Sequence, residues 1–203
     1  MNEADTCRKF VVPKLQAAGW DEQPHAINEQ RSFTDGRIVF VGDKARRGKQ
    51  KRADYLLRYS PDFPIAVVEA KSKFRNAADG LQQAKEYAEI LGLRFAYSTN
   101  GIEIVEFDYT TGVERRLDAF PKPIELWTRH READGLDDPA VAAQLLTANF
   151  PDRTKPLRYY QETAVNRAVQ AVLQQRKRIL LTLCTGAGKT AVAFQICWKL
   201  WSA

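Results

Sequence analysis

The chain has 203 residues, 44% of them hydrophobic and 28% charged, a balance that excludes an intrinsically disordered chain and supports a real core. That length holds one sizeable domain plus a fragment, or two small domains, but not a large multidomain machine. Lysine and arginine exceed aspartate and glutamate by 31 − 25 = 6, a modest basic surplus that by itself means only a solvated basic surface.

Residues 3–18 are expected to form a helix, with Phe10, Val11, Lys14 and Ala18 at helical spacing and Pro13 kinking or restarting it. Residues 44–52, KARRGKQKR, carry six basic side chains, with Gly42 and Gly48 loosening the backbone; such a loop suits a phosphate backbone. Short β-rich runs are expected at 37–41, 53–59 and 65–71, the last two joined by the turn SPDFP, whose prolines cannot serve a central ladder. Ala77, Leu81, Ala84, Ala88 and Leu91 then mark a helix over 77–91. RFAYST and IEIVEFD follow as strands split by the hairpin signal Asn100-Gly101, and VERRLDAF is expected to return after Thr111-Gly112.

Prolines at 121, 123, 139, 151 and 156 give the next stretch the character of a helical connector. Beyond it a helix is expected near 159–174, an apolar strand ILLTLC at 179–184, a glycine turn, and a helix from about Lys189 that still runs at Ala203. Such a strand, loop and helix need neighbouring strands over their apolar faces, so the chain reads as part of a longer protein.

No apolar run approaches the roughly 18 residues of a membrane span. The polar start MNEADTCRKF lacks a signal-peptide region, so a cytoplasmic location without membrane partners is expected. Cys7, Cys184 and Cys197 have no paired or zinc-like spacing, and His25 and His130 are too few for a histidine metal centre. Any metal is expected on carboxylates.

Two constellations carry chemistry. Asp54 opens one expected strand, while Glu69 and Lys71 sit two apart on the next and so project from one face. Two carboxylates and a lysine offer oxygen ligands for Mg²⁺ and a cation to orient water or offset growing negative charge in phosphodiester hydrolysis. For a bare Glu-x-Lys, a plain salt bridge at a strand end is the better account, by roughly two to one. Gln83 and Tyr87, four apart and about 40° from one another around the helix axis, can reach one site together.

The second constellation is CTGAGKT at 184–190. Gly186 and Gly188 would let backbone N–H groups, with those of Thr185 and Ala187, close on phosphate oxygens; Lys189 would reach the β/γ-phosphates and Thr190 hold Mg²⁺. The strict pattern has Gly where this chain has Leu183. No acidic Walker B strand follows, so the chain alone is not expected to hydrolyse ATP.

Together Asp54, Glu69-Ala70-Lys71, Gln83 and Tyr87 resemble the RecB-like branch of the PD-(D/E)xK nucleases, with Ala53 where the family often has proline. That resemblance implies an α/β fold, a mixed β-sheet flanked by helices. It also implies Mg²⁺ held by Asp54, Glu69 and the carbonyl of Ala70, catalysis by Lys71, and Gln83 and Tyr87 holding DNA or the lysine. Glu29, expected in the loop after the first helix, is a candidate extra acid. RYYQETAV at 158–165 resembles the Q motif of superfamily 2 helicases, which places Gln161 on adenine with Tyr160 beside it.

A nuclease at 1–120, a connector at 121–156 and a truncated RecA-like P-loop segment at 157–203 resemble the restriction (HsdR) subunits of type I restriction enzymes. The resemblance implies ATP-driven translocation on double-stranded DNA. It also implies methyltransferase (M) and specificity (S) partners, S-adenosylmethionine entering only through those partners. Lys44, Arg46, Arg47, Lys49, Lys51 and Arg52 are the expected DNA contacts. A nuclease–helicase of repair or phage defence without methyltransferase partners, and a non-catalytic DNA-docking module, remain the alternatives.

Overall fold

Alternation of apolar residues along the central strands sorts them onto two faces, and each face is covered by helices. The computed structural model describes residues 3–34, 38–41, 44–47, 50–152 and 155–202, with backbone only for 3–4, 38–41 and 44–47. Its centre is a six-stranded sheet of order β1 (Ala26–Thr34), β4 (Gln50–Ser60), β5 (Phe63–Ala70), β6 (Phe95–Thr99), β7 (Ile104–Asp108), β8 (Val113–Leu117). Only β5 and β6 run parallel, because the helix α3 (Leu81–Leu91), entered through a 3₁₀ turn at Ala77–Gly80, crosses between them. The other pairs are antiparallel. The architecture is the mixed, helix-flanked α/β sheet that the sequence implied.

One face carries Leu56, Val67 and Ala96 against Ala84, Tyr87, Ala88 and Leu91 of α3. The helix ends where Gly92 takes a left-handed φ of 71°, a conformation that costs a Cβ-free residue little. The opposite face carries Tyr55, Leu57, Val68, Phe95 and Tyr97. It is covered by α2 (Val12–Ala17), α4 (Pro123–Asp134), α6 (Tyr159–Leu173) and α7 (Lys189–Trp201), which contribute Leu15, Trp127, Val165, Val169 and Val192. A short α5 (Pro139–Leu145) adds Ala142 and Leu145.

Several expectations need correction. The first helix is broken into α1 (Glu3–Thr6), a π-helical turn at Cys7–Val11 and α2, since Pro13 has no N–H to continue a uniform ladder. Its core face runs through Val11 and Leu15, and Lys14 turns out of the stripe to donate Nζ–H to Ile102 O at 2.8 Å. Glu29 lies on strand β1, not in a loop: β1 pairs with β4 over Ala26↔Arg58 to Thr34↔Gln50. The basic stretch is not a loop either. Lys44–Arg47 forms β3, paired with β2 (Ile38–Val41) as a separate two-stranded ribbon, and Gln50–Arg52 opens β4; Lys49 lies outside the described residues. Residues 179–184 form no strand, because no described strand lies beside them, and Leu180 is 90% exposed. Helix α7 closes at Trp201 with Ser202 as its C-cap.

Several charges buried in the fold are paired. Arg58 on β4 and Glu162 on α6 form a two-pronged ion pair, 2.6 and 3.0 Å, with both side chains almost wholly buried. Arg58 also donates to Asn28 Oδ1 and Pro61 O. At the other edge Arg129 on α4 bridges Glu106 and Asp108 of β7, while Tyr97 donates its hydroxyl proton to Glu106. Burial would raise the Glu106 carboxyl, but hydrogen bonds from Arg129 and Tyr97 outweigh it and hold it below the usual range. Burial pushes His130 down to about 3; its ring is stacked on Trp127 and edge-on to Phe63, with Nε2 3.1 Å from Asp134 Oδ2.

Candidate active site

The ladder between β4 and β5 is regular from Leu57↔Ala66 through Tyr55↔Val68 and ends there. The next positions, Asp54 and Glu69, satisfy the parted backbone with side chains. Asp54 Oδ2 accepts the Ala70 N–H at 2.8 Å, and Glu69 Oε1 accepts the Asp54 N–H at 3.3 Å. Each carboxylate is therefore aimed by the other's strand. Glu69 is only 2% exposed, whereas Asp54 is half-buried at the mouth. A carboxylate so deep is costly without cationic compensation.

Lys71 follows on the same face as Glu69. Its backbone is held by donation to Thr99 O at 2.8 Å, extending the parallel register beyond Ala70↔Thr99. Its Nζ donates to Gln83 Oε1 at 3.0 Å, and Gln83 Nε2 donates to the Tyr87 hydroxyl at 2.9 Å. The i, i+4 spacing on α3 thus makes one chain, Lys71–Gln83–Tyr87, that fixes the ammonium. Burial raises the Tyr87 phenol above its ordinary value, so it keeps its proton near neutral pH.

Asp54, Glu69, Lys71, Gln83 and Tyr87 are therefore together. Among the described residues no group of three or more His, Cys, Asp or Glu is placed to hold a metal. The donors at this point are two carboxylates and the backbone around Ala70. That set fits Mg²⁺, a hard cation that takes one or two carboxylates and keeps several of its waters. Glu29 does not touch either carboxylate through a described bond, but it lines the same cleft of about 500 Å³ as Asp54, with Arg8, Gln30 and Arg52. Lys51 is engaged elsewhere, donating to Glu86 at 3.0 Å and lying over the Tyr87 ring.

Sequence reasoning missed Gly80. A Cβ there would stand 2.5 Å from Ser98 Oγ and 2.9 Å from Lys71 Cε, so only glycine lets the lysine stem pass beneath the start of α3. Its sole signal in the sequence is a glycine placed just before the helix that carries Gln83. Gly80→Ala is expected to lower cleavage roughly 10- to 100-fold by displacing Lys71, at a stability cost of about 1–3 kcal/mol. Cleavage and melting measurements on the same variant check this; unaltered cleavage would mean that the lysine's position does not matter.

The glycine turn at 184–190 is preserved without its strand. Gly186 and Gly188 take left-handed φ of 79° and 82°, Thr185 and Ala187 lie between and beside them, and Thr190 is exposed in the first turn of α7. Lys189 Nζ rests on Cys184 O at 3.0 Å. Gln161 reaches the turn directly: Nε2 donates to Ala187 O at 2.9 Å, while Oε1 accepts the Arg158 N–H. Each end of the Gln161 amide is thus already engaged. Tyr160 is bonded to Arg158 instead.

A mixed sheet whose centre parts to present Asp, Glu and Lys against a Gln–Tyr helix defines the restriction-endonuclease-like class. Comparisons narrow the class. A family model described as "Type III restriction enzyme, res subunit" matches residues 154–203. The type I restriction enzyme EcoAI endonuclease subunit of Escherichia coli is 37% identical over all of this chain and 26% of its own length. The EcoKI endonuclease subunit of Escherichia coli strain K12 is 30% identical over 73% of this chain and 13% of its own. A solved fragment of an HsdR subunit of a type I restriction enzyme from Vibrio vulnificus YJ016 superposes with a TM-score of 0.89 at 59% identity, covering all of this chain and 38% of that one. Over its whole length the chain is similar to type I restriction enzyme endonuclease (HsdR) subunits, and it spans about a quarter of the EcoAI subunit.

Proposed function

We propose that this chain supplies the nuclease centre of a type I restriction enzyme, hydrolysing phosphodiester bonds of double-stranded DNA with Mg²⁺, and the opening part of an ATP-driven DNA translocase. The observation that carries the reading is the convergence of Asp54, Glu69 and the Lys71–Gln83–Tyr87 chain at the parted strand ends. Asp54, Glu69 and the Ala70 carbonyl would hold Mg²⁺, which when bound lowers the pKa of a ligated water and polarises the phosphate. Lys71, held by Gln83, would orient the attacking water or offset charge on the phosphate; Tyr87 keeps Gln83 in its rotamer. The division into nuclease (1–120), connector (121–156) and motor start (157–203) belongs to this reading. So do a cytoplasmic location, M and S partners that use S-adenosylmethionine, and DNA contacts from the β2–β3 ribbon through Arg52. Among the described residues no helix is long and apolar enough to cross a membrane.

Thr185 to Thr190 would cradle the nucleotide phosphates, with Lys189 swinging from Cys184 O to the β/γ-phosphates and Gln161 sensing the loop. Lys189→Ala in the full-length subunit, assembled with its partners, is expected to lower ATP turnover at least ~10²-fold and with it any cleavage that depends on translocation. Undiminished ATP turnover would reject the motor assignment.

A further inference from the structure

The strand that carries Glu69 and Lys71 leads straight into Ser72-Lys73-Phe74-Arg75, and Phe74 is 80% exposed. Leaving such a ring in water forgoes the free energy that burying it would release. The exposure is not slack in the chain, because the segment is fastened on both sides of the ring. Arg75 N–H closes a turn on Ser72 O at 2.9 Å, and Lys73 N–H donates to the buried Thr6 Oγ1 at 3.2 Å. Asn100 Nδ2 donates to Arg75 O at 2.9 Å, and Asn76 accepts the Ala78 N–H as α3's 3₁₀ entry begins. The ring is therefore presented by a tied turn.

Its surroundings define what it meets. Lys73 and Arg75 flank it in sequence, and among the described residues neither pairs with a carboxylate. Lys73 Nζ lies over the Phe10 ring, 5.0 Å from its centroid. Phe74 is three residues past Lys71, so it lies within ~11 Å of it along the chain, about the reach of two nucleotides. An exposed ring with a cation on each side of it in sequence suits a stacked polyanion: the cations can meet phosphates while the ring enters between bases, unstacking one step and bending the duplex.

We propose that Phe74 is a DNA wedge that enters a base step beside the scissile phosphate, with Lys73 and Arg75 on the flanking phosphates. It extends the nuclease reading above and rests on it. The wedge widens the local duplex at the cut, so that the scissile phosphate can approach the cation site between Asp54 and Glu69, which an undistorted backbone would meet only at its mouth.

The test uses the full-length subunit with its partners on plasmid DNA, and a Glu69→Ala background to hold DNA uncut. Permanganate, which oxidises unstacked thymines, is expected to mark DNA bound by that background protein. Phe74→Ala should abolish the marking and lower cleavage about tenfold in the otherwise native protein, while Phe74→Leu, still an apolar wedge, keeps most of both. Val113→Ala, an exposed apolar residue on the far edge strand, should leave cleavage unchanged. Phe74→Ala that cuts and marks DNA normally overturns the proposal. So does Phe74→Ala that loses cleavage only because partner subunits no longer co-purify, since the ring would then be a protein contact. Failure of the nuclease reading is separate: in that case the Glu69→Ala protein itself still cuts.

Discussion

Glu69→Ala is expected to reduce Mg²⁺-dependent cleavage by at least ~10³-fold, about 4 kcal/mol of transition-state stabilisation, while DNA-stimulated ATP turnover in the full-length complex stays near its native rate. Two consequences of removing this one carboxylate combine. Half of the charged donor set at the parted strand ends disappears, and Asp54 N–H loses its acceptor, so Asp54 is no longer held in register. Mg²⁺ should raise the melting temperature of the native protein and not that of the variant, because a ligand stabilises only the fold it binds. Asp54→Asn separates the two effects, since its amide oxygen can still accept the Ala70 N–H while the charge is gone. Loss of cleavage and ATP turnover in equal measure would argue that the two centres are not distinct.

The largest stability effect is expected from Glu162→Ala. Arg58 is 7% exposed, and without Glu162 its guanidinium keeps only neutral acceptors, Asn28 Oδ1 and Pro61 O. Breaking a buried pair from one side costs about 3–5 kcal/mol, because the remaining charge stays desolvated. In a chain of this size that corresponds to a fall of roughly 6–20 °C in melting temperature. Replacing both partners, Arg58→Met with Glu162→Leu, should recover most of the loss, since two matched apolar side chains leave no orphan. A single variant that melts within about 2 °C of the native protein would show that water reaches the pair and screens it.

How much of this was legible in the sequence depended on whether a segment carries its own reason for folding. Helix α3 was legible because Leu81, Ala84, Ala88 and Leu91 repeat at the helical period against the sheet. Strand β5 was legible because Ile65 to Val68 are buried on both faces, and the turn after Thr99 because Asn100 accepts from the backbone of Ile102 and Glu103. Strand β1 was not. AINEQRSFT has no apolar alternation, since it is an edge strand with mostly half-exposed side chains, and pairing with β4 alone makes it a strand. The ILLTLC run failed in the opposite sense: its composition favours a strand, but a strand needs a neighbour to share hydrogen bonds. Within the site, spacing put Glu69 with Lys71 and Gln83 with Tyr87, and the resemblance to the RecB-like nucleases joined them to Asp54. Gly80 was not, for its importance lies in the side chain that passes beneath it.

The packing of α6 and α7 on the sheet has a consequence for the covalent chain. Val165, Val169 and Val192 share one apolar cluster with Leu57, Val68 and Phe95, and Asn166 Nδ2 donates to Asp62 O across it. The covalent link from α5 to α6 thus joins surfaces that already adhere. A protease nick there should yield two polypeptides that elute together and melt as one, and parting them should require denaturant. Neither piece, expressed by itself, should stay in solution at the concentration its mate makes possible.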